Sequence, residues 1–464
     1  MSAISTSRVS ATSVPYKKIA VIGFGLTGQS VIRHLSNTTS ELIAMDTRNL
    51  AVNARQLKQR FPKVRLVTGG LDRHTLKTAD MVVVSPGVPI HALDLRNKIG
   101  THTELVGDIE LFARYADAPI IAITGSNGKS TVVTLVDILI NAGGQTAFLG
   151  GNIGVPALDL FAKATPDVYV LELSSFQLET TENLNADVAV VLNLSEDHLD
   201  RYPSYMAYTD AKARVYRNAR TEVINRDEPG APQIAMPNSV SFGLGTPRSD
   251  VEFGIISEKG IDWLARGNHK ILKAEELALK GRQNWLNALA ALAVVTQYGL
   301  DINNAMLAAM CAFEGLSDRC EQLANKEGVL WINDSKATNV GATLAAIAGF
   351  EQPKVLIMGG QGKAADFTPL KMAMDESVRE VILIGEDADK LEAVLMDVVK
   401  LSRAESLEDA VLRAKAISRA GDVVMLSPAC ASFDMFENYK ARGQAFREWV
   451  NLHVLQQCET EVSA

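Results

Sequence analysis

Short runs of apolar residues recur along the chain, and each is followed by a longer segment with helical periodicity. Because the runs are almost wholly apolar and end in Gly, Pro, Ser or Asp, they predict parallel β-strands buried on both faces and joined by crossover helices. The predicted strands lie near residues 19–22, 41–45, 81–84 and 120–124, and in the segments DVYVLEL, DVAVVLNL, GVLWINDS, KVLIMGG, EVILIGE and DVVMLSP. The pattern indicates an α/β protein.

The alternation falls into three blocks. Residues 221–280 carry four prolines and several glycines, which predicts an irregular segment there. The segment LKGRQNWLNALAALAVV then resumes a helical pattern that continues to residue 295. The blocks predict three nucleotide-fold-like domains, over residues 1–112, 113–315 and 316–464.

Composition narrows the class of protein. The chain has 464 residues, 47% of them apolar and 22% charged, as in ordinary globular proteins. A net charge of −8 disfavours nucleic acid as a partner, and no apolar run reaches the length of about 18 residues that membrane insertion requires. Four cysteines without metal spacing favour a reducing compartment, and the Ser/Thr-rich N-terminus lacks the apolar core of a signal peptide. These features predict a cytoplasmic protein.

The first block contains a glycine motif between its first strand and helix. In KKIAVIGFGLTGQSVIRHL, Gly23, Gly25 and Gly28 form G-x-G-x-x-G, and Asp46 ends the next strand. Glycines at this turn let a phosphate approach the helix N-terminus, and the acid stands where a ribose would bind. The motif does not distinguish NAD from a uridine diphosphate. The alternative is a glycine turn that only packs the helix on the strand.

A second glycine loop, IIAITGSNGKSTV, opens the second block. Residues 125–131 supply flexible backbone, the charge of Lys129 and the hydroxyls of Ser130 and Thr131, which are the groups that bind ATP phosphates and Mg²⁺. The standard loop has a glycine where this chain has Ile123. This difference leaves open a shortened phosphate loop or an ordinary glycine turn with a solvated lysine.

Two further strands of the second block also end in polar groups. Glu172 ends the strand VLEL, and Asp197 and His198 follow the next strand in NLSEDHLDRYPS. Each residue alone is more often a surface acid or a loop histidine. Together they place phosphate- or metal-competent groups at the carboxyl ends of three successive strands, which indicates a ligand site.

Six segments carry a family resemblance: GSNGKST, ELSSFQLE, NLSEDHLDRYP, GRQNWLNALA, INDSKATN and SPACASFDMF. They resemble the Mur ligases of peptidoglycan synthesis, and most closely the branch that joins D-glutamate to UDP-N-acetylmuramoyl-L-alanine. The resemblance covers the chain after about residue 16, NDSKATN with SPACAS is its most specific part, and the shortened loop is the family's own form.

The resemblance implies a Rossmann-like N-terminal domain for the UDP-sugar, a central P-loop ATPase-type domain and a C-terminal Rossmann-like domain for the incoming amino acid. It further implies ATP, Mg²⁺ at two sites and an acyl-phosphate route. The partners would be small-molecule substrates, and a monomer is compatible with this arrangement.

The resemblance also assigns roles to the matching residues. The UDP substrate would be held by Leu26, Thr27, Asp46, Thr47, Arg48, Gly87, Asn152 and Ser174. ATP would contact Gly125, Ser126, Asn127, Gly128, Lys129, Ser130, Thr131, Asn284, Asn287, Arg319 and Asp334. The metals would be served by Ser130, Glu172, His198 and Lys212, and D-glutamate by Thr338, Lys363, Ser432, Phe433 and Tyr439. The catalytic set would be Lys129, Glu172, His198, Lys212 and Arg319. For Phe433 and Tyr439 the alternative is a place in the core.

Lys212 lies in SYMAYTDAKARVY, where Tyr205, Tyr208, Lys212 and Val215 share one face of a predicted helix. The simple alternative is that the Lys212 stem crosses this face and its ammonium group reaches solvent. The resemblance implies that Lys212 instead reacts with CO₂ to form a carbamate that binds the metal.

One position departs from the family pattern. Where relatives usually carry Pro-His-Arg, this chain has Ser317, Asp318 and Arg319. Arg319 can still contact ATP phosphates as a planar donor. Because an anion near the phosphates would be repelled, Asp318 is expected to face solvent or a basic side chain.

Three other functions remain open from the residues. A nicotinamide-dependent oxidoreductase would use the first glycine motif but leaves the second loop and the third block unexplained. A sibling ligase, either another Mur enzyme or a folylpolyglutamate synthase, would share the loop and the acids. A P-loop ATPase of another class would hydrolyse ATP without an acceptor.

Overall fold

The computed structural model describes residues 16–36, 38, 40–49, 57–198, 201–228, 230, 239–363 and 365–456. The Ser/Thr-rich N-terminus, Cys458 and three of the four prolines between residues 221 and 280 lie outside these ranges. The described residues form three β-sheets flanked by helices, as the apolar pattern predicts. No helix among them has the length and apolar character needed to cross a membrane.

The first sheet is wholly parallel, in the order β3-β2-β1-β4-β5. Its strands are β1 (Lys18–Ile22), β2 (Glu41–Asp46), β3 (Arg65–Thr68), β4 (Met81–Val84) and β5 (Glu104–Gly107). Its helices are α1 (Leu26–Leu35), α2 (Arg73–Thr78), α3 (Leu95–Lys98) and α4 (Asp108–Tyr115). The three predicted strands are confirmed. The edge strands β3 and β5 were not predicted, because both are partly exposed and lack a wholly apolar run.

The glycine motif of the first sheet has a packing role that the structure shows directly. A Cβ on Gly28 would lie 1.9 Å from the carbonyl oxygen of Gly23, and Gly23 has φ +90°. Helix α1 therefore packs on the end of β1 at a distance that only glycine permits.

The central sheet has nine strands, in the order β14-β13-β12-β11-β10-β9-β6-β8-β7. They are β6 (Ile120–Thr124), β7 (Ala147–Gly151), β8 (Val168–Glu172), β9 (Val188–Val191), β10 (Thr221–Asn225), β11 (Val240–Phe242), β12 (Glu252–Glu258), β13 (Ile261–Arg266) and β14 (His269–Lys273). Its helices are α5 (Lys129–Ala142), α6 (Ser175–Leu178), α7 (Tyr205–Ala213), α8 (Arg282–Tyr298) and α9 (Asn304–Ala312). Helix α8 confirms the helical pattern that continues to residue 295.

The prediction of an irregular segment over residues 221–280 is wrong. This stretch contributes five strands, and β12, β13 and β14 pair antiparallel, so the expectation of parallel strands also fails here. Gly260 and Gly267 have positive φ in the turns that join these strands. The glycines therefore mark hairpin turns in a continuous sheet.

The third sheet has six strands, in the order β15-β16-β20-β17-β18-β19. They are β15 (Glu321–Lys326), β16 (Val329–Asn333), β17 (Lys354–Gly359), β18 (Val378–Ile384), β19 (Leu401–Arg403) and β20 (Val423–Leu426). Its helices are α10 (Val340–Ala348), α11 (Ala388–Leu395), α12 (Leu407–Ile417) and α13 (Tyr439–Val450). The four predicted strands are confirmed, and only β15 pairs antiparallel.

The first two sheets are joined by an aromatic contact at α4. Phe112 stacks on Phe161 with ring centroids 4.8 Å apart and meets Tyr169 edge-on at 5.1 Å. Arg33 of α1 forms an ion pair with Asp159 at 2.5 Å. The two sheets thus share one packed layer across the predicted boundary near residue 112, and the boundaries themselves stay predictions.

The buried carboxyl of Asp108 generates a pH prediction. Asp108 is 2% exposed, one oxygen accepts from Gln177 Nε2 at 3.0 Å, and the other has no hydrogen-bond partner among the described residues. Burial, the largest cause, raises the pKa of Asp108 to about 6. Between its usual pKa and about 6, the folded state holds a proton that the unfolded chain has lost, so this group's contribution to stability falls as pH rises through that window.

Asp108→Asn removes this titration. As pH rises from about 4 to 6, the unfolding free energy of the variant should increase relative to that of wild type by roughly 1–3 kcal/mol. Above about pH 6 this difference should stay constant. Thermal unfolding midpoints measured at several pH values test this, with Asp301→Asn as the control for loss of one exposed carboxyl. Parallel curves for wild type and Asp108→Asn would contradict the prediction.

Candidate active site

Most candidate residues lie in loops that follow neighbouring parallel strands. In the first sheet they follow β2, β1 and β4, which are adjacent, and in the central sheet they follow β9, β6 and β8. In the third sheet they follow β16, β20 and β17, again three neighbours. Because the carboxyl ends of parallel strands meet at one edge of a sheet, each sheet presents one cluster of candidate loops.

The phosphate loop joins β6 to α5. Gly128 has φ +79° and stands directly before the first residue of α5, and a Cβ on it would lie 2.6 Å from Asn287 Oδ1. Gly125 has φ +153°. Helix α5 therefore begins with its N-terminus facing the loop, which is the arrangement that binds phosphate.

Four polar side chains from different parts of the chain meet at the start of α5. Ser130 Oγ donates to Glu172 Oε2 at 2.5 Å, and Arg319 Nη2 donates to Ser130 Oγ at 2.7 Å. Asn152 Nδ2 donates to Glu172 Oε1 at 2.7 Å. The structure thus joins residues assigned to ATP, metal and UDP-substrate binding in one hydrogen-bonded chain.

Two lysines donate hydrogen bonds to one backbone carbonyl of the phosphate loop. Lys129 Nζ and Lys212 Nζ each donate to the oxygen of Gly125 at 2.8 Å. Burial is the largest cause that lowers the pKa of both amines, and for Lys212 the neighbouring Lys129 lowers it further, to well below its usual value. Glu172 and Asp197 oppose both shifts. The loop therefore holds two amines close together, and burial disfavours the charged form of each.

The alternative that Lys212 reaches solvent is wrong. Lys212 is 2% exposed, and its ammonium lies 4.8 Å from the centroid of the Tyr208 ring. Tyr208 in turn forms a hydrogen bond between its hydroxyl and Ser126 Oγ at 2.8 Å. Val215 is also buried, although it lies just after the end of α7. Tyr208 and Lys212 of the predicted face therefore point at the phosphate loop, whereas Tyr205 of the same face is 36% exposed.

His198 lies in the loop after β9 with φ +57°. Its Nε2 atom is 3.6 Å from Asp197 Oδ2, and its ring centroid is 4.7 Å from that of Phe176. Among the described residues, no group of three or more His, Cys, Asp or Glu side chains converges as a metal site. The oxygens of Ser130 and Glu172 are nevertheless the hard ligands that Mg²⁺ takes when phosphates and water complete its shell.

The remaining ATP candidates border the loop from α8 and from β16. Asn284 is 5% exposed, and its Oδ1 accepts from Asn287 Nδ2 at 3.0 Å. Asp334 follows β16, where it accepts from Cys320 N and Ser427 Oγ, both at 3.1 Å. Burial raises the pKa of Asp334 to about 7.

The UDP-substrate candidates surround the ends of β1, β2 and β4. Asp46 accepts from the backbone N–H of Phe24 at 2.9 Å and from Arg48 Nε at 2.9 Å, and the Arg48 bond is the largest cause that lowers its pKa to about 2. Leu26 is 77% exposed. Further exposed or half-buried positions near these strand ends are held by Thr27, Thr47 and Gly87. Ser174 caps α6 by accepting from the N–H of Gln177 at 3.2 Å.

The amino-acid candidates come from three loops of the third sheet. A backbone bridge between Gln361 and Ala431 brings the loops after β17 and β20 together. Lys363 Nζ lies 5.5 Å from the Phe433 ring centroid, and Phe433 is 61% exposed, so its alternative place in the core is wrong.

The other three candidates of this group are less exposed. Ser432 is buried, whereas Thr338 and Tyr439 are half-buried. The Tyr439 ring lies under a lysine that the sequence analysis did not select.

This lysine is Lys336, whose Nζ atom is 4.2 Å from the Tyr439 ring centroid. Burial, with help from Arg319 and Lys129, lowers its pKa to about 8. Its position within INDSKATN could have revealed it, because it lies between the candidates Asp334 and Thr338 in the segment that follows β16. Arg442, also missed, is buried and donates to the carbonyls of Ser335 and Cys430, and no local pattern marks it.

The expectation that Asp318 faces solvent is wrong, but basic side chains do lie near it, because Arg447 and Lys440 oppose the rise of its pKa that burial causes. Asp318 is 5% exposed, and its Oδ1 atom accepts from Asn333 Nδ2 at 2.9 Å. A Cβ on Gly443 would lie 1.9 Å from the same oxygen, so the carboxyl packs against α13. Burial raises its pKa. Its neighbour Arg319 reaches Ser130, so the two side chains diverge.

A phosphate loop flanked by two further sheets with their own loop clusters defines a multidomain nucleotide-dependent enzyme of the α/β class. Three family models match the chain in order: "Mur ligase MurD-like, N-terminal domain" over residues 17–107, "Mur ligase middle domain" over 123–295 and "Mur ligase, glutamate ligase domain" over 318–430.

Curated relatives match almost the full chain. It is 47% identical over 447 residues to the UDP-N-acetylmuramoylalanine–D-glutamate ligase of Nitrosococcus oceani, covering 96% of this chain and 97% of that protein. It is 48% identical over 440 residues to the ligase of the same name from Hahella chejuensis, covering 94% and 98%. The chain belongs to the Mur ligase family.

Solved structures share the fold at low identity. The pseudomurein peptide ligase type C of Methanothermus fervidus has a TM-score of 0.59 and 18% identity, covering 94% of this chain and 99% of that one. The UDP-N-acetylmuramate-alanine ligase MurC of Thermotoga maritima has a TM-score of 0.55 and 18% identity, covering 93% and 98%.

Because the side chains of Arg319 and Asp318 diverge, we expect their substitution to have opposite effects on turnover. Arg319→Ala should lower kcat for ADP formation by about 100-fold or more, because it removes a donor at the phosphate loop. Asp318→Asn should keep most of the turnover, because an amide oxygen can still accept from Asn333. Asp318→Ala should lower the unfolding free energy by about 1–2 kcal/mol, read as a thermal shift, with kcat preserved. A large loss of kcat in Asp318→Asn at unchanged thermal stability would show that the carboxylate is catalytic.

Proposed function

We propose that this protein is an ATP-dependent amide ligase that adds D-glutamate to UDP-N-acetylmuramoyl-L-alanine through an acyl-phosphate intermediate. The observation that carries the proposal is the bond from Arg319 to Ser130. It brings the start of the third sheet, whose loops carry the amino-acid candidates, onto the phosphate loop. The names of the relatives supply the two substrates.

The residues support this reaction mainly by charge and alignment. The γ-phosphate of ATP passes to the substrate carboxylate and leaves ADP; the amine of D-glutamate then attacks the acyl carbon, and phosphate departs as the amide forms. Lys129 and Arg319 offset the negative charge of the phosphates. Lys336 and Lys363 supply cations for the carboxylates of D-glutamate.

The UDP substrate would bind across the first and central sheets. Arg48, which Asp46 orients through two hydrogen bonds from its guanidinium, is the cation available to the diphosphate. Asn152, whose amide donates to Glu172, would contact the far end of that substrate next to the phosphate loop.

Mg²⁺, at the two sites that the resemblance implies, would be held by Ser130, Glu172 and His198 together with the phosphates. It would supply positive charge that offsets the phosphate oxygens. The lowered pKa of Lys212 favours the free amine, which is the form that combines with CO₂ to give a carbamate and a proton. We propose this modification because a bare ammonium beside Mg²⁺ would repel it.

The product of this ligase is a precursor of peptidoglycan, so the enzyme would serve cell-wall synthesis, and through it cell shape and division. Its substrates are small soluble molecules, and the chain offers no reason to invoke nucleic acid or an inserted membrane segment. We place its action in the cytoplasm.

The oxidoreductase hypothesis loses support, because it uses only the first sheet and explains neither the phosphate loop nor Arg319. A sibling ligase is distinguished by its amino acid. Release of ADP and phosphate should require UDP-N-acetylmuramoyl-L-alanine and D-glutamate together. A screen of amino acids for stimulated phosphate release tests this; equal release without the UDP substrate would indicate another kind of ATPase, and preference for a different amino acid would indicate a sibling ligase.

The carbamate generates a prediction for Lys212. Lys212→Ala should lose activity, because the anionic group that replaces the ammonium is lost. A short carboxylic acid such as acetate at high concentration should restore part of the turnover, whereas chloride at the same ionic strength should not. Full activity of Lys212→Ala, or density for an unmodified Lys212 in a metal-loaded crystal grown with saturating bicarbonate, would contradict the proposal.

A further inference from the structure

Helix α10 of the third sheet begins directly against the central sheet. Asn339 precedes the helix, and its Oδ1 atom accepts from the N–H of Ala342 at 2.8 Å, which caps the first turn. The Nδ2 atom of the same side chain donates to Asp197 Oδ2 at 3.1 Å and contacts Asn127 Oδ1 at 3.5 Å. One amide therefore both starts α10 and joins it to two loops of the central sheet.

Gly341 makes a second contact in the same turn. A Cβ on Gly341 would lie 2.6 Å from both the Cβ and the Oγ of Ser195. Side-chain carbon atoms do not approach so closely, so the fit requires a residue without a Cβ. Residues 339–341, the docking turn, thus rest on the loop after β9 without space between them.

The two central-sheet loops that the docking turn contacts are the phosphate loop and the loop after β9, and hydrogen bonds join them into one unit. Asn127 N donates to Asn193 Oδ1 at 2.8 Å, and Asn193 Nδ2 donates back to the carbonyl of Asn127 at 3.0 Å. Ser195 N donates to Ser126 Oγ at 2.9 Å. A shift of the phosphate loop when nucleotide binds would therefore move the surface on which the docking turn rests.

The docking turn is also continuous with the amino-acid candidates. Lys336 and Thr338 lie immediately before it, between β16 and α10. We propose that Asn339 and Gly341 are positioning residues, which couple nucleotide occupancy of the phosphate loop to the placement of Lys336 and Thr338 around the incoming amino acid. This inference rests on the proposed function for the identity of that amino acid, but not for the contact itself.

Gly341→Ala tests the contact. The added methyl group should hold the third domain away from the central one, which raises the KM for D-glutamate by about tenfold while the Kd for ADP stays within about twofold of wild type. The radius of gyration from X-ray scattering with bound ADP should be larger than that of wild type. Gly245→Ala is the matched control, because a Cβ there meets no atom within 4 Å.

Two further variants separate docking from helix stability. Adding Ser195→Gly to Gly341→Ala removes both atoms that the methyl would meet, so the double variant should recover wild-type compactness and most of the KM. Asn339→Ser keeps a side-chain cap for α10 but loses the amide donor. It should raise the KM for D-glutamate with little change in the thermal midpoint, whereas Asn339→Ala should lower both the D-glutamate affinity and the midpoint.

The coupling is overturned if Gly341→Ala keeps the wild-type radius and KM, or if Ser195→Gly fails to rescue it. It is also overturned if the KM for D-glutamate and the Kd for ADP change equally, since that pattern indicates general damage. If wild type shows no response to D-glutamate, the proposed function fails. The radius of gyration of Gly341→Ala, and its recovery in the double variant with Ser195→Gly, still decide whether the docking turn holds the third domain against the central one.

Discussion

The gathering of basic side chains at one glycine loop is the constraint on which the rest of the structure depends. Lys129 and Lys212 both donate to the carbonyl of Gly125, and Arg319 reaches Ser130 from another domain. Cations so close together are unfavourable unless anions offset them. Glu172 and Asp197 do so in part, and a bound polyphosphate would complete the balance. The fold holds these basic groups among strand ends, with Lys212 buried and with Lys129 and Arg319 half-buried.

The three sheets answer this constraint by the same topology. Each presents loops from three adjacent parallel strands at one edge, so residues far apart in the chain meet without long connections. The third sheet reaches the central cluster through Arg319 on Ser130 and through Asn339 on Asp197, whereas Asn152 on Glu172 joins two loops of the central sheet itself. The aromatic layer at Phe112 and Tyr169 joins the first two sheets.

Buried polar groups at the start of the third sheet show how a departure from a family pattern is accommodated. Asp318 occupies a position where an anion near phosphate would be costly, yet its carboxyl turns to Asn333 and the glycine of α13. A buried carboxyl is tolerated when it accepts a hydrogen bond and its pKa rises. Arg442 is a buried cation. It joins the loops after β16 and β20 by donating to the carbonyls of Ser335 and Cys430. These groups shape the amino-acid loops without touching the phosphate loop.

The sequence by itself determined the α/β class, ten strands with wholly apolar runs, the helix that became α8, and the motifs that identify the family, because apolar periodicity and glycine spacing are local properties of the chain. It missed β3, β5, β7, β15 and β19, which are partly exposed. It also misjudged residues 221–280, because glycines mark hairpin turns and irregular segments alike. Only the tertiary structure decided that Lys212 is buried, that Asp318 turns inward, that Phe433 is exposed, and that Lys336 lies against the Tyr439 ring. These outcomes depend on which elements pack against a residue, and no local pattern contains that information.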